Sequence, residues 1–298
     1  MNIDSTESTS ISVIITTYNR NDRLELALIS VLEQNFLPTE VLIVNDGDQV
    51  VFNEWWAYFK PKQKQQIEEV DIKIFHTSIK GANPARKIGF EKSKGAFIAF
   101  LDDDDIWLPN KLENQLKCFE SNPEAILVTS NFIQINKHEE RLRKISLSKR
   151  IIRNDLLFRN TIGGFSFPLI RREVLDSHYF VEDLQSSQDW NVWLKIMADN
   201  PGKKILNTSS FEILYLIDDI NKNKISSSPT KRINGYTQVL EINKEVFPSY
   251  MLKWHFSRIN GISRGEIKLP KIKLVANLIS SKALTKAWMG YLIRRYFG

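Results

Sequence analysis

The sequence contains a single cysteine, Cys118, among 298 residues. One thiol excludes an internal disulfide and any metal cluster held by several cysteines. It also suits a reducing compartment, so we expect a cytoplasmic protein. Residues 1–10 lack the basic and apolar segments of a secretory signal, and we expect none. The longest unbroken apolar run, Ala96–Leu101, has six residues, whereas a membrane-spanning helix needs about 20.

Several short motifs are also absent. We find no phosphate-binding P-loop, no Gly-rich dinucleotide fingerprint and no His-Glu-x-x-His zinc motif. The four histidines are not spaced like metal ligands. The net charge of +6 is modest, and we expect no nucleic-acid partner. The charge is uneven, however, because Ile267–Gly298 has seven Lys or Arg residues and no Asp or Glu.

Short apolar segments alternate with amphipathic ones over the first half of the chain. This alternation predicts βαβ units and a Rossmann-like, mostly parallel sheet with flanking helices, which is an α/β fold. The predicted strands are Ile11–Thr17, Val41–Val44, Asp71–His76, Ala96–Leu101 and Ala125–Thr129. The predicted helices are Asn21–Gln34, Asn53–Gln66, Asn83–Lys94 and Pro109–Glu120.

The second half of the chain is less regular. Asn131–Arg153 is predicted to be a hairpin or a mobile loop, and Thr161–Ser166 a flexible turn. A Lys/Asn/Ser-rich link, Asn221–Ser228, suggests a boundary near residue 220, with a helical extension over residues 221–298. The predicted helices here are Gln188–Ala198, Lys231–Val246, Tyr250–Ile262 and Ile272–Tyr296.

Polar clusters follow three of the predicted strands. They are Thr17-Tyr18-Asn19, Asn45-Asp46 and Asp102–Asp105. In open α/β sheets ligands bind beyond the carboxyl ends of the strands. The sequence therefore predicts a binding site formed by these three clusters.

The run of four aspartates is the central feature of this site. Adjacent carboxylates repel one another, and a divalent cation offsets that repulsion. Ligands that are all oxygen favour Mg²⁺ or Mn²⁺. In extended backbone alternate side chains share a face, so Asp102 and Asp104 can converge while Asp103 and Asp105 point elsewhere. A solvated acidic turn is the alternative.

Three further residues have both a functional and a structural interpretation. Asp46 can accept hydrogen bonds from a base or ribose, or it can belong to an Asn-Asp-Gly turn. Arg86 can bind a base or phosphate oxygen, or it can be a surface arginine. Asp189, beside Trp190, can be a general base of raised proton affinity, or it can simply favour the dipole at a helix start.

The motifs together resemble a known family. In order they are ISVIITTYNR, VLIVNDGD, GANPARKIGFEKSKGAFIAFLDDDDIWLPNKLENQL and SSQDWNVWLKI. Their combination is similar to the family 2 glycosyltransferases, and the resemblance covers about residues 10–220. It implies a GT-A fold, and inverting sugar transfer from a nucleotide diphosphate donor with Mn²⁺ or Mg²⁺. Residues 1–220 would then form the nucleotide-sugar-binding and catalytic domain.

The resemblance also implies roles for individual residues. Asp189 matches the catalytic base, and Asp102 and Asp104 match the two ends of the metal-binding Asp-x-Asp motif. The nucleotide contacts implied are Thr17, Tyr18, Asn19, Asp46, Arg86, Asp102 and Asp103. The chain departs from the family's pattern at Thr16, Asn45, Lys87 and Gln188. Gln188 leaves Asp189 without the acidic neighbour that is frequent in the family.

Similar enzymes suggest the substrates. A UDP-hexose donor, with glucose or galactose favoured, fits the resemblance. The acceptor would be a saccharide, on an undecaprenyl-diphosphate carrier, in O-antigen, lipopolysaccharide, capsule or other surface polysaccharide synthesis. The basic amphipathic segment Ile272–Tyr296 would contact the cytoplasmic face of the inner membrane as a peripheral element. Packing of that segment on the catalytic domain is the alternative.

Two other functions remain open. Haloacid-dehalogenase-type phosphohydrolases also place Asp-x-Asp after an apolar strand, with Asp102 as nucleophile, Asp104 as acid/base and Asp218-Asp219 completing a Mg²⁺ site. Three strands precede the motif here, whereas it normally lies near the start of that fold. The other alternative is a non-catalytic domain that binds a cation or nucleotide as a scaffold.

Overall fold

The structure is a computed structural model that describes residues 9–136, 141–148, 150–151, 153–217 and 228–263. In these ranges ten strands form one sheet, in the order β3-β2-β1-β4-β9-β6-β10-β5, with β7 on β6 and β8 on β10. The strands are β1 (Ile11–Thr17), β2 (Glu40–Asn45), β3 (Asp71–His76), β4 (Phe97–Asp102), β5 (Asp105–Trp107), β6 (Ala125–Asn136), β7 (Arg141–Ile145), β8 (Arg150–Ile151), β9 (Leu169–Arg171) and β10 (Lys204–Ile217).

Helices cover the faces of the sheet. Those described are α1 (Asn21–Leu32), α2 (Gln49–Lys62), α3 (Lys64–Glu68), α4 (Ala82–Lys92), α5 (Lys111–Ser121), α6 (Arg153–Phe158), α7 (Gln188–Asp199), α8 (Pro229–Ile242) and α9 (Ser249–Ser263). Short 3₁₀ turns lie at Arg172–Val174, Ser177–Tyr179 and Lys244–Val246. The α/β class is thus confirmed.

The first strand shows why the sheet forms. All seven residues of β1 are buried. Ile14 packs into one hydrophobic core, while Val13 and Ile15 pack into a second core. Alternate side chains of a strand point to opposite faces, so the sheet separates two cores that are covered by different helices. A continuous apolar sequence such as ISVIITT is typical of a strand buried on both faces.

The sheet is parallel on one side and mixed on the other. Strands β3, β2, β1 and β4 run parallel, as the alternation with helices predicts. Strand β9 then pairs antiparallel with both β4 and β6, and β5 pairs antiparallel with β10. Short strands such as β5 follow turns rather than crossover helices, so nothing forces them to be parallel.

Two loop predictions for the second half have different outcomes. Strands β6 and β7 pair antiparallel, which confirms the hairpin alternative for Asn131–Arg153. The prediction of a flexible turn at Thr161–Ser166 is wrong, because Ile162, Phe165 and Ser166 are at most 3% exposed. Aromatic and aliphatic side chains anchor this turn in the core despite its two glycines.

Helices α8 and α9 pack on the domain that precedes them. Tyr236 of α8 stacks on Trp190 of α7, with ring centroids 5.1 Å apart. Leu240 and Met251 lie in the same core cluster as Trp190. The predicted boundary near residue 220 and the segment Ile272–Tyr296 both lie outside the described residues. Among the helices that are described, none has the length and hydropathy needed to cross a bilayer.

Candidate active site

Three strand ends meet at one edge of the sheet. Strand β1 lies between β2 and β4, and the register pairs Thr17 with Asn45 and Thr16 with Asp102. The polar clusters that follow these strands are therefore neighbours, as the topology rule predicts.

The four aspartates alternate in burial. Asp103 and Asp105 are 2% and 4% exposed. The side chains of Asp102 and Asp104 are 31% and 20% exposed. The two carboxylates that the sequence assigns to a metal thus reach solvent at this edge of the sheet, which we call the cleft, while the other two turn into the protein.

Asp103 differs from its predicted role as a nucleotide contact. Its enclosed carboxylate accepts a hydrogen bond from the Thr17 hydroxyl (2.8 Å) and pairs with the Arg20 guanidinium (2.5 Å). Burial raises the pKa of Asp103 to about 7, although the charge of Arg20 lowers it. Asp103 therefore ties the loop after β1 to the aspartate run, and any effect on a nucleotide passes through its partners. Sequence reasoning did not identify Arg20, because nothing in the sequence pairs it with Asp103, 83 positions away.

The loops after β1 and β2 interlock beside this edge. The backbone N–H of Asp48 donates to Asn19 Oδ1 (2.6 Å), and Asn19 has a φ of 52°. A Cβ at Gly47 would lie 2.2 Å from Asn19 Oδ1, so only glycine permits this approach. Tyr18 remains 51% exposed above the loops, with Lys80 Nζ 5.3 Å from its ring centroid.

Asp46 is buried and held by the segment before α4. The backbone N–H of Gly81 donates to Asp46 Oδ2 (2.8 Å), and the Lys80 ammonium donates to the backbone carbonyl of Asp46. The turn interpretation also holds, because the Gly47 N–H donates to Asn45 Oδ1 (3.0 Å). The carboxylate of Asp46 is thus fixed at the strand edge, beside Tyr18.

Arg86 links two distant parts of the chain. One guanidinium nitrogen donates to Asp102 Oδ1 (2.6 Å), and the other donates to Gln188 Oε1 (3.0 Å). The guanidinium carbon lies 3.9 Å from the ring centroid of Phe165, and the residue is 5% exposed. The interpretation as a surface arginine is therefore wrong. Arg86 joins the aspartate run to the start of α7.

Asp189 stands beside Gln188 at this junction. Its Oδ2 accepts from the side-chain amide of Asn160 (2.9 Å), and its Oδ1 accepts from the N–H of Trp190 (2.7 Å). Burial raises the pKa of Asp189 to about 6, while Arg86 lowers this pKa and Asp102 raises it. Arg86 binds both Asp102 and Gln188, so the residue next to Asp189 in the chain is tied to the aspartate run. A partly desolvated carboxylate of this kind suits a general base.

Tyr215 is a further cleft residue that sequence reasoning missed. It pairs with Asp105 across β10 and β5, and its ring packs against Phe132 and Phe167. Burial raises the pKa of its hydroxyl, and the carboxylate of Asp105, followed by those of Asp104, Asp102 and Asp189, raises it further. The apolar alternation of FEILYLI could have indicated the strand, but not that its tyrosine faces the aspartates.

The arrangement of the aspartates bears on the predicted metal site. In the part of the chain that the structure describes, no group of three or more His, Cys, Asp or Glu side chains is arranged to hold a metal. Asp102 uses Oδ1 for Arg86, and both it and Asp104 are partly exposed. One or two carboxylates completed by substrate phosphates are a usual Mg²⁺ arrangement. The residues present fit such an ion, which would need ligands from the substrate.

The fold and the site define an α/β protein of the GT-A type, with carboxylates clustered beyond the parallel strands. The family model described as "Glycosyl transferase family 2" matches residues 12–179. The chain belongs to glycosyl transferase family 2.

The relatives extend this result. The chain is 26% identical over 247 residues to the Escherichia coli UDP-Glc:alpha-D-GlcNAc-diphosphoundecaprenol beta-1,3-glucosyltransferase WfgD, covering 77% of this chain and 85% of that protein. It is 27% identical to the putative teichuronic acid biosynthesis glycosyltransferase TuaG of Bacillus subtilis, covering 72% of this chain and 82% of that protein.

Other matches cover a smaller share of the relative or show the fold alone. An uncharacterized glycosyltransferase of Rickettsia bellii is 30% identical over 64% of this chain, and this match spans 26% of that protein. The chain thus spans about a quarter of that relative's length. The crystal structure of S. aureus TarS 1-349 in complex with UDP-GlcNAc superposes with a TM-score of 0.63 at 18% identity, over 89% of this chain and 77% of that one.

Proposed function

We propose that the protein is an inverting hexosyltransferase of surface polysaccharide synthesis. It moves glucose or galactose from a UDP donor to a hydroxyl of an undecaprenyl-diphosphate-linked saccharide. The observation that carries the proposal is the Arg86 bridge, which brings Asp189 beside the aspartate run although 87 positions separate Asp102 from Asp189. The names of WfgD and TuaG support the substrate class.

The geometry supports a single-displacement reaction. Asp189 takes the proton of the acceptor hydroxyl as that oxygen attacks the anomeric carbon. The bond from the sugar to the diphosphate breaks, and the electron pair leaves with UDP. Attack from the face opposite to the leaving group inverts the anomeric centre. Asp46, Asn19 and Tyr18, in the loops after β1 and β2, would contact the uridine.

Asp104 and Asp102 would hold a Mn²⁺ or Mg²⁺ ion. Such an ion, when bound, stabilises the negative charge of the leaving diphosphate. The Asp104→Ala variant should bind UDP at least 10-fold more weakly in Mn²⁺, because one of the ion's two protein ligands is lost. Calorimetric titration with UDP, with and without EDTA, measures this. The Asp176→Ala variant, at an exposed aspartate beside His178, is the control. If Asp104→Ala and the unmodified protein bind UDP equally well in Mn²⁺, Asp104 is not a ligand of the ion.

A panel of nucleotide sugars tests the overall proposal. The protein is incubated with each donor, Mn²⁺ and a lipid-diphosphate N-acetylhexosamine acceptor, and nucleoside diphosphate release is measured. We expect release from UDP-glucose or UDP-galactose that depends on the acceptor. Donor binding without transfer or hydrolysis would instead favour the scaffold. Phosphatase turnover without any sugar nucleotide would favour the haloacid-dehalogenase alternative, although Arg86 already engages the Asp102 carboxylate that this chemistry needs as a nucleophile.

The proposal includes a peripheral contact with the cytoplasmic face of the inner membrane. Its support is the sequence of Ile272–Tyr296, in which apolar residues alternate with lysine and arginine and acidic residues are absent. A lipid-linked acceptor would be reached most directly from that surface.

A further inference from the structure

The loop of residues 160–163, called the Asn160 loop, contacts the first turn of α7. Asn160 Nδ2 donates to Asp189 Oδ2 (2.9 Å) and to the Gly163 carbonyl (3.0 Å). Asn160 Oδ1 accepts from the N–H groups of Ile162 and Gly163, at 3.1 Å each. Because the oxygen is committed to two backbone donors, the amide has one orientation, and its NH₂ group faces the carboxylate.

Two more hydrogen bonds fix the Asn160 loop and the preceding helix α6 to α7. The indole N–H of Trp193 donates to the Gly163 carbonyl (2.9 Å), and that of Trp190 donates to the Leu156 carbonyl (2.7 Å). Gly163 has a φ of 104°, and a Cβ there would lie 2.3 Å from the Phe167 ring. The Asn160 loop and α7 are thus joined at two points, and the preceding helix α6 is joined to α7 at a third, so Asn160 is held rigidly against Asp189.

The neutrality of the Asn160 side chain matters as much as its position. Asp189 is half-buried, and the charged groups that act on it are Arg86 and Asp102. A neutral amide stabilises the ionised carboxylate through a hydrogen bond and leaves its negative charge intact. An aspartate at position 160 could still accept from the backbone N–H groups, but it would place a second carboxylate against Asp189.

We propose that Asn160 is a positioning residue, which orients the Asp189 carboxylate and keeps it ionised for proton transfer from the acceptor. This inference rests on the proposed function, in which Asp189 is the general base. It concerns a residue that acts through Asp189, and it assigns the Asn160 loop to the transfer chemistry rather than to folding alone.

Two measurements on the Asn160→Asp and Asn160→Ala variants test the inference. The first is the pH dependence of kcat with saturating donor. The second is a ¹³C NMR titration of labelled aspartate carboxyls, in which the Asp189 signal is identified by its absence from Asp189→Asn. Asn200→Asp and Asn200→Ala are the controls, because Asn200 lies at the other end of α7 and its amide donates only to the Ile196 carbonyl among the hydrogen bonds described. Thermal unfolding checks that each variant is folded.

In the Asn160→Asp variant we expect the proton affinity of Asp189 to rise at least tenfold. The acid limb of the kcat profile, where kcat falls at low pH, should move to higher pH by the same factor. Asn160→Ala should lower kcat by up to about 10²-fold with the donor KM little changed, since a misplaced reacting group costs this much. If Asn160→Ala fails to fold, Asn160→Asp still decides, because it keeps an acceptor for the N–H groups of Ile162 and Gly163 although it loses the bond to the Gly163 carbonyl.

The outcomes separate the inference from the proposed function. If neither the Asp189 titration nor kcat differs from the Asn200 controls, Asn160 does not position Asp189 and the inference is overturned. If the Asp189 titration moves while the kcat profile does not, Asn160 does hold Asp189, but Asp189 is not the base and the proposed function fails.

Discussion

The Asp189→Asn variant is expected to lose about 10²–10⁴-fold in kcat, the range for removal of a general base. An amide has nearly the shape of the carboxylate but cannot take up the acceptor's proton. Its Oδ1 can still accept from the Trp190 N–H, but its NH₂ then faces the Asn160 NH₂ and that hydrogen bond is lost, so thermal unfolding of the variant is measured beside the rates. Donor affinity should stay within a few-fold, since Asp189 is not among the residues proposed to contact the nucleotide or the metal ion. Initial rates with saturating donor and acceptor, and a separate UDP titration, measure the two effects.

The Asp199→Asn variant is the matched control for this experiment. Asp199 lies in the last turn of the same helix, where it accepts from the Tyr179 hydroxyl (2.5 Å), and it touches no residue of the cleft in the described structure. We expect its kcat within twofold of the unmodified protein. Near-normal turnover of Asp189→Asn would show that the acceptor's proton goes elsewhere, and the proposed mechanism would then be wrong.

The pH dependence follows from the same carboxylate. The pKa of Asp189 is raised to about 6, so its ionised, proton-accepting form predominates above that pH. We therefore expect kcat to fall as the pH drops through about 6. In Asp189→Asn the residual rate should lack this acid limb, which a pH series on both proteins would reveal.

The parallel strands β1 to β4 were predictable because they are short segments rich in apolar, β-branched residues between helical segments. ISVIITT and DIKIFH were located with the bounds that the structure has, and the rule for strand ends placed the polar clusters together. For these strands, the determining interaction is local or is repeated along the backbone. The alternate burial within the aspartate run was predicted from extended backbone, but Asp103 and Asp104 form a turn between β4 and β5, and the contacts of Asp103 with Thr17 and Arg20 hold it inside.

The partners of the site residues could not be predicted in this way. The contacts of Arg86 with Asp102 and Gln188, and of Asn160 with Asp189, join residues that are 16 to 102 positions apart. Such pairs depend on the packing of loops, and a single sequence gives no signal for them. Thr161–Ser166 shows the same limit. Its glycines suggested flexibility, whereas the burial of Phe165 beneath Arg86 decides its conformation.

The Arg86→Met variant is expected to lose stability and activity together. Methionine can fill the space over Phe165 but leaves Asp102 without its positive partner and Gln188 without its donor. Removing one member of a buried ion pair costs 3–5 kcal/mol, and since Asp102 is partly exposed we expect about 3 kcal/mol. Arg86 also lowers the pKa of Asp189 while Asp102 raises it. Without Arg86 the positive charge that lowers that pKa is gone, while burial and the Asp102 charge still raise it and the Trp190 N–H still lowers it, so the acid limb of kcat should move to higher pH.

The Arg172→Met variant separates these effects from a general loss of packing. Arg172 also lies over a phenylalanine, with its guanidinium carbon 5.2 Å from the Phe90 ring centroid, and it donates to Ser93 and to the Gly95 carbonyl. It contacts none of the proposed site residues, so its loss should lower the denaturation midpoint without moving the kcat profile. Urea unfolding and kcat between pH 5.5 and pH 8.5, measured on both variants, make the comparison. An Arg86→Met profile with the same acid limb as Arg172→Met would mean that Arg86 supports the fold but does not tune the base. An acid limb that moves in Arg86→Met but not in Arg172→Met would show that the Arg86 guanidinium couples the aspartate run to Asp189.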